Sequence, residues 1–434
     1  MSSFPTTDAE PAVAERRFTR DVLWNVASLA VLGGTGMVIN AFVLAVQGPA
    51  TLGAFNQVFA VFVVVTQFAV GGLQFSALKH CARAREDRAS CSQIAASAVL
   101  LVCLVGGTLS LAVFLVHGVV GSVLQSPDVA VGLAMVAPGI LCFSLNKVLL
   151  MVLNGLRHMR AFAVFQSLRY LVLLTTVVSL TLLGYPGSWL PLSLTLTEIA
   201  VCAALICYVS RLFPVIISPF SNQLRPWYGR HLSFGLRGFL SGALIELNTR
   251  VDVLMLGVFT ADAVVGIYSF AATFAEGFAQ LTVIVRQNLD PIFGRAFAEN
   301  RLERIGEAAR AVRRKFWPLM AGAGLLLMAG YPVLIWLFSA GGQTWRSWPV
   351  LCILVVGVIV SAGYRSMAGV FIAGDRPGAY TLLIAGTAIA NIVLNLLLIP
   401  MAGLYGAALA TSAACVLESM AIVILAWKLL AVRL

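Results

Sequence analysis

Long apolar runs, separated by short polar stretches, extend over almost the whole chain. A helix that crosses the hydrocarbon core of a bilayer needs about 20 mostly apolar residues, so a window of that length identifies candidate spans. The pattern predicts twelve, near residues 21–46, 52–77, 94–116, 129–153, 163–184, 189–210, 232–259, 263–289, 317–338, 349–373, 379–400 and 404–430. We therefore expect an all-α polytopic membrane protein without a sizeable soluble domain.

The polar connections between these spans alternate in charge. The basic side comprises the amino terminus, the tail and every second connection, with its charges at 16–20, 79–88, 157–160, 211–230, 295–315, 376 and 433. The six short connections on the other side contain a single basic residue, Arg346. Because basic loops mark the cytoplasmic side, both termini are predicted to be cytoplasmic, and we expect a multi-pass protein of the bacterial inner membrane.

Composition agrees with this picture and narrows the functional classes. Sixty per cent of the residues are apolar and 11% are charged, against roughly 25% charged in soluble domains. The net charge of +11 is spread between the apolar runs and does not form one face, so we expect no nucleic-acid partner. The eight cysteines lack the paired spacing of a metal site or a disulfide framework, and we expect neither a metal nor a bound cofactor.

An internal repeat relates the two halves of the chain. When the sequence is aligned with itself at a constant offset, 42–67 falls on 255–280 without a gap, and Gly53 then coincides with Gly266. This match pairs the second span with the eighth. Repeated halves that enclose a central cavity are typical of secondary transporters.

The repeat predicts two pseudo-symmetric lobes of six helices around a central cavity. The first lobe comprises residues 1–210 and the second comprises 211–434. A slightly longer offset places Glu198 on Glu418, which pairs the sixth span with the twelfth. In the second lobe, apolar residues at helical spacing over 295–316 predict an amphipathic helix on the cytoplasmic membrane surface.

Charged residues also occur inside the predicted spans, where insertion costs roughly 2.5–3.5 kcal/mol each. The cations nearest the cytoplasmic side are Lys147, Arg169, Arg237, Arg286 and Arg365, and Arg250 lies nearer the middle. Together they predict an inward-facing positive vestibule for an anionic substrate, because the planar fork of arginine suits phosphate. The alternative is that several of these side chains extend to the cytoplasmic headgroups.

The acidic residues near mid-membrane are candidates for ion coupling. Glu276 has no cation three or four residues away and lies on a polar helical stripe, so it is the first candidate. Glu246 is the second, and Asp252 is the third. Because Glu246 and Arg250 are four residues apart, they could instead form an intrahelical ion pair.

Four segments together resemble the polysaccharide transporter (Wzx-type) flippases of the multidrug/oligosaccharidyl-lipid/polysaccharide (MOP) exporter superfamily. They are GPATLGAFNQVFAVFVVV (48–65), VLNGLRHMRAFAVFQSLRY (152–170), NTRVDVLMLGVFTADAVVGIYSFAATFAE (248–276) and NIVLNLLLIPMAGLYGAALATS (391–412). Asp252 matches an acidic position usual in the seventh span of that family, whereas Arg250 departs from its pattern. The resemblance covers the chain from about residue 20 to residue 430.

The resemblance implies a flippase that moves undecaprenyl-pyrophosphate-linked oligosaccharide repeat units from the cytoplasmic to the periplasmic leaflet by alternating access. Such a protein serves O-antigen or exopolysaccharide biosynthesis, uses a proton or sodium gradient, and works beside a polysaccharide polymerase. A cation-lined lumen would hold the pyrophosphate and the sugars. We assign that role to Lys147, Arg169, Arg250, Arg286 and Arg365.

Three other functional classes remain open. A cation-coupled multidrug exporter would favour acidic and aromatic cavity residues. A membrane-embedded glycan polymerase or ligase would need longer external loops than this chain has. The last alternative is a scaffold without transport activity, and we expect a transporter and not an enzyme.

Overall fold

The computed structural model describes residues 9–213, 223–338 and 341–432, with side chains from residue 33 onward except at 237, 238 and 241. Within these ranges the chain is helical and contains no strand. The helices are α1 (Ala9–Val70), α2 (Leu73–Arg83), α3 (Arg88–Val123), α4 (Pro127–Gly155), α5 (Met159–Leu182), α6 (Leu192–Leu212), α7 (Arg225–Phe259), α8 (Asp262–Ala298), α9 (Glu303–Phe338), α10 (Ser347–Arg365), α11 (Val370–Ala373), α12 (Pro377–Ala402) and α13 (Leu404–Leu430).

Helix α1 contains the first two predicted spans, which are antiparallel. Gly48 has φ 86° and ψ 175°, outside the helical region, and Pro49 follows it. Asn56 Nδ2 donates to Asn40 Oδ1 at 2.9 Å, although sixteen residues of straight helix would separate them by about 24 Å. The chain therefore reverses at Gly48, and α1 has two arms.

Each of the twelve predicted spans coincides with a helix or a helix pair. The second span is interrupted at Gly71 and Gly72, which have positive φ angles of 53° and 76°, and continues as α2. In the described part of the chain, ten segments are long and apolar enough to cross a membrane. The predicted class, an all-α polytopic membrane protein, is confirmed.

The helices pack in two groups that meet along one seam. In the first group α4 packs against α1, α3 and α6, and α5 packs against α1 and α6. In the second group α13 packs against α10 and α12, while α7 contacts α12 and α8 contacts α10. Across the seam, α1 contacts α7 and α8, and α2 and α3 contact α7.

The same contact occurs twice at one end of this seam, the end that the charge pattern predicts to be the outer one. A Cβ atom added to Gly53 would overlap the backbone of Asp262, and one added to Gly266 would overlap the backbone of Pro49. The offset that relates Gly53 to Gly266 also relates Pro49 to Asp262. The contact is therefore self-complementary, as expected beside a two-fold axis, and only glycine allows this close approach.

The surface helix predicted over 295–316 does not form. Helix α8 ends at Ala298, Asn300 has φ 52°, and α9 begins at Glu303 and continues to Phe338. Ile305 and Ala309 of its first turns are buried in an apolar cluster with Phe293 of α8. The amphipathic pattern is real, but its apolar face packs on the protein and not on the membrane.

Candidate functional site

The first lobe buries an ion pair between α5 and α6. Arg169 Nε lies 3.0 Å from Glu198 Oε1, and the two side chains are only 13% and 5% exposed. Asn146 Nδ2 of α4 donates to Glu198 Oε2 at 2.8 Å. The Arg169 guanidinium lies 4.7 Å from the ring centroid of Phe143. Both charges are therefore held by neighbours from three helices, which offsets the cost of removing them from water.

The second lobe buries a related pair between α10 and α13. Arg365 Nε lies 2.7 Å from Glu418 Oε2, with side-chain exposures of 28% and 8%. Arg365 Nη1 also lies 3.5 Å from Cys415 Sγ. Arg169 and Arg365 are thus not the isolated vestibule cations that the sequence pattern predicts. Each has a carboxylate partner from another helix.

A third pair joins α7 to α8. Arg250 Nη1 lies 3.3 Å from Glu276 Oε1, and Glu276 is the more accessible partner, with 42% of its side chain exposed. The guanidinium lies 5.4 Å from the ring centroid of Phe59, which belongs to the first lobe. Arg250 does not pair with Glu246. The alternative of an intrahelical pair is therefore wrong, and Arg250 lies at the seam between the lobes.

Glu246 of α7 lies within electrostatic range of two groups of the first lobe. Its charge interacts electrostatically with the Lys147 ammonium of α4 and with the Tyr170 hydroxyl of α5. Tyr170 also interacts with the charges of Arg169 and Arg250. These helices come from both lobes, so they bring six ionisable groups together at the seam. We call this set the seam cluster: Lys147, Arg169, Glu198, Glu246, Arg250 and Glu276.

Two arginine nitrogens in the seam cluster, Arg169 Nη2 and Arg250 Nε, are buried and have no hydrogen-bond partner among the described residues. Arg169 Nε is not counted with them, because it lies 3.0 Å from Glu198 Oε1. A buried donor without an acceptor costs about 1–3 kcal/mol. The two donors are enclosed by protein atoms, so an additional anionic or carbonyl oxygen can reach them only when neighbouring side chains move, but it then breaks no hydrogen bond at these two atoms.

Asp252 is buried inside the second lobe, and its hydrogen-bond partners do not belong to the seam cluster. The Tyr268 hydroxyl of α8 donates to its carboxylate, and the backbone amide of Val253 donates at 2.9 Å. Thr411 Oγ1 of α13 lies 3.5 Å from the same carboxylate. On the same helix, Asn248 accepts a hydrogen bond from Asn391 of α12 at 3.1 Å. Asp252 therefore has hydrogen-bond partners of its own, and it remains within electrostatic range of Arg250 and Glu276.

Arg286 is separate from the seam cluster. Its Nη1 lies 3.1 Å from the Tyr380 hydroxyl of α12, and its guanidinium lies 5.5 Å from the Tyr380 ring centroid. The side chain of Arg237, a further predicted cation, lies outside the described residues. The described residues contain no group of three His, Cys, Asp or Glu side chains that could hold a metal ion.

Sequence reasoning missed a polar contact at the outer end of the seam. Asp262, the first residue of α8, accepts hydrogen bonds from Gln57 Nε2 of α1 and from Ser126 Oγ, both at 2.6 Å. Gln125 Nε2 donates to the Val258 carbonyl of α7 at 3.0 Å. These bonds tie the first lobe to the second beside Gly53 and are hereafter the outer latch. The internal repeat could have indicated this contact, because the offset that pairs Gly53 with Gly266 also pairs Pro49 with Asp262.

Comparisons with known proteins identify both the family and the fold. A family model described as polysaccharide biosynthesis protein matches residues 18–297. No curated protein sequence gives a significant match. An inward-facing multidrug-resistance MATE transporter of the MOP superfamily is 15% identical, with a TM-score of 0.73 over 92% of this chain and 96% of that one.

Two further solved structures have the same fold. The lipid II flippase MurJ, in an inward closed conformation, is 15% identical, with a TM-score of 0.76 over 93% of this chain and 87% of that one. A MOP superfamily transporter from Pyrococcus furiosus is 15% identical, with a TM-score of 0.58 over 91% and 92% of the two chains.

The family match covers more than half of the chain, and the structural matches cover more than nine tenths of it. The predicted fold and the predicted family are therefore confirmed. This chain belongs to the polysaccharide biosynthesis protein family, and it is a multi-pass membrane protein with the fold of the MOP superfamily.

Proposed function

We propose that the protein moves an undecaprenyl-pyrophosphate-linked oligosaccharide repeat unit across the bacterial inner membrane, from the cytoplasmic to the periplasmic leaflet. Both termini are then cytoplasmic, as the distribution of basic residues favours. The observation that carries this proposal is the seam cluster, in which Arg169 and Arg250 each keep a buried nitrogen without an acceptor. The family match supports a glycan as the cargo.

The arrangement of charges suggests how a pyrophosphate is bound. Within the seam cluster, Lys147, Arg169 and Arg250 are balanced by three glutamates, so the site carries no large positive excess. A pyrophosphate oxygen competes with a carboxylate for the same guanidinium, because both take two parallel N–H bonds. Arg250 is the arginine most easily transferred, since its partner Glu276 is the most exposed carboxylate of the three pairs.

This exchange of partners links the substrate to an ion. When Arg250 turns to a phosphate, Glu276 loses its counter-charge and gains affinity for a proton or a sodium ion. By reciprocity, a cation on Glu276 releases Arg250 for the anion. Glu246, beside Lys147, can take part in the same exchange. Asp252, buried beside Tyr268, is the third candidate for coupling.

The outer latch supports an alternating-access cycle. In this structure Asp262, Gln57 and Ser126 hold the periplasmic ends of the lobes together. Delivery to the periplasmic leaflet requires these bonds to open while the cytoplasmic ends approach. Rocking of two repeated bundles about a central site is how such folds exchange access.

A cation-coupled multidrug exporter is the second candidate. Glu246 and Glu276 at the seam favour it, because a cationic drug could pair with either carboxylate. The two functions differ in which residue is needed. An anionic substrate requires Arg250, whereas a cationic substrate would bind more tightly once that arginine is removed.

Complementation of a strain lacking this gene tests the proposal. We expect Arg250→Gln to reduce surface polysaccharide at least tenfold at an unchanged amount of membrane-inserted protein. Arg304→Gln is the control, because Arg304 pairs with Glu299 at an exposed turn. Normal polysaccharide from Arg250→Gln, together with a gain in drug resistance, would reject the flippase in favour of the exporter.

A further inference from the structure

An apolar cavity of about 510 Å³ opens on the side of the molecule where α1, α3 and α7 meet. Its wall includes Phe68, Leu73, Leu104, Val105, Leu232 and Leu236. It lies at the seam, with α1 and α3 in the first lobe and α7 in the second. Ligand-binding cavities have volumes of roughly 300–1,000 Å³, so this groove is large enough to hold part of a chain-like molecule.

Among the side chains that the structure describes, the groove wall offers almost no hydrogen-bonding group. Its hydroxyl group, from Thr108, donates to the Leu104 carbonyl of its own helix at 2.8 Å. Leu236 and Leu104 are 69% and 68% exposed. The groove can therefore receive a hydrocarbon chain, but not a sugar or a phosphate.

Basic and aromatic side chains lie next to the cytoplasmic end of this groove. Lys79 Nζ lies 4.2 Å from the ring centroid of Phe234. The Arg230 guanidinium lies 4.6 Å from the ring centroid of Trp227. Burial lowers the pKa of His80, and the nearby charges of Lys79, Arg83 and Arg230 lower it further. Three cations from α2 and α7 therefore share one small region.

The helix geometry places these cations just beyond the groove. Arg230 precedes the wall residue Leu232 by two residues, about 3 Å along α7. Lys79 follows the wall residue Leu73 by six residues, about 9 Å along α2. The combination of an apolar groove and a basic rim is complementary to an amphiphile with an anionic head at the cytoplasmic leaflet.

We propose that the groove between α3 and α7 holds the polyisoprenyl chain of the substrate while Lys79 and Arg230 hold its phosphate, before the head group enters the seam. This loading site rests on the proposed function and adds the lipid half of the substrate to it. The groove lies between the two lobes that rock, whereas a structural phospholipid could bind to any lipid-facing helix. A chain held there stays in the bilayer while the polar head moves inward.

Photocross-linking in vesicles tests this assignment. A benzophenone amino acid replaces either Leu236 in the groove or Leu319 on α9, which is 66% exposed and lies near the cytoplasmic end of its predicted span. The probe is undecaprenyl phosphate at low mole fraction in phosphatidylcholine vesicles. We expect at least fivefold more adduct at position 236 than at position 319.

Two further measurements identify the lipid that occupies the groove. An excess of phosphatidylglycerol should leave the adduct at position 236 unchanged, and displacement would mean a general site for anionic lipids. The double change Lys79→Gln with Arg230→Gln should lower the adduct at least threefold, whereas Arg225→Gln should not. Equal yields at positions 236 and 319 would overturn the proposal.

A functional measurement separates this inference from the proposed function. Leu236→Trp fills the groove and should reduce surface polysaccharide severalfold, while Leu319→Trp should leave it normal. If Arg250→Gln retains polysaccharide but the cross-link at position 236 is selective, the seam cluster is misassigned and the groove stands. If Leu236→Trp has no effect and the cross-link is unselective, the groove assignment alone fails.

Discussion

The two lobes share a helix arrangement but differ in their mid-membrane charges. The offset that superposes 42–67 on 255–280 can be continued back along the preceding helix. Four charged residues of α7 and α8 then coincide with uncharged residues of α1: Glu246 with Gly33, Arg250 with Met37, Asp252 with Ile39 and Glu276 with Val63. The first two helices of the second lobe therefore hold the charges, and those of the first lobe hold none at these positions.

One acidic position is present in both lobes. Glu198 and Glu418 are related by the slightly longer offset, and each is buried beside an arginine. The arginine comes from α5 in the first lobe and from α10 in the second. A buried carboxylate must be neutralised wherever it lies, but any neighbouring helix can supply the cation. The backbone arrangement is thus repeated between the lobes, whereas the charges of α7 and α8 are not.

The largest effect on surface polysaccharide should come from the contact at Gly53 and Gly266, two residues that the internal repeat relates to each other. We expect Gly53→Leu or Gly266→Leu to reduce surface polysaccharide to background, because the added side chain overlaps the backbone of the opposite lobe and prevents the outer ends from closing. Gly294→Leu in α8 is the control, since no atom lies within 4 Å of an added Cβ there. Normal polysaccharide from both seam variants would show that the outer contact is dispensable.

The next largest effects should come from the two buried ion pairs, Arg169–Glu198 in the first lobe and Arg365–Glu418 in the second. We expect their loss to lower the free energy of unfolding by different amounts. Arg169→Leu leaves Glu198 uncompensated at 5% exposure, and we expect a loss of about 3–5 kcal/mol in the free energy of unfolding. Arg365→Leu should cost less, because its pair is more exposed. Thermal unfolding in detergent measures both.

Removal of both charges provides the check on this ranking. The double change Arg169→Leu with Glu198→Leu should recover most of the stability lost in Arg169→Leu, because no buried charge is then left without a partner. A double variant as unstable as the single one would show that packing, and not charge, is responsible.

Among these variants, Glu276→Gln should change protein stability least. Its effect should be confined to substrate transport. We expect this variant to abolish the dependence of flipping on a proton or sodium gradient in vesicles while strengthening binding of the anionic head group, because the ion-accepting carboxylate is lost and Arg250 is left free to pair with the phosphate. Val63→Gln at the related position of the first lobe should leave the dependence intact. Unaltered gradient dependence in Glu276→Gln would remove its coupling role.

The spans were predictable because length and hydropathy are local properties. Even α1, one continuous helix by its hydrogen bonds, was correctly divided into two spans, since Gly48 and Pro49 interrupt the apolar run. The segment 295–316 was assigned wrongly. Helical periodicity identifies an apolar face but not whether lipid or protein covers it, and here Phe293 and neighbouring residues cover it.

The charged residues were found by sequence, but their partners were not. Arg250 was expected to stand free or to pair with Glu246 four residues away, and it pairs with Glu276, 26 residues away on the next helix. Arg365 and Glu418 are still further apart in sequence. The spacing of residues along one helix does not predict which residues of another helix they contact. That depends on how the two helices are rotated relative to each other, which the packing of their apolar faces sets.

By itself the sequence determined that the chain is a helical membrane protein, where its apolar helices lie, that its halves repeat, and which charged residues lie within the apolar helices. These properties depend on composition and spacing along one segment at a time. Tertiary structure alone decided which charges are neutralised, that the lobes touch at Gly53 and Gly266, and where α3 and α7 leave a groove. Such features arise from the distances between helices, which packing of the whole chain sets.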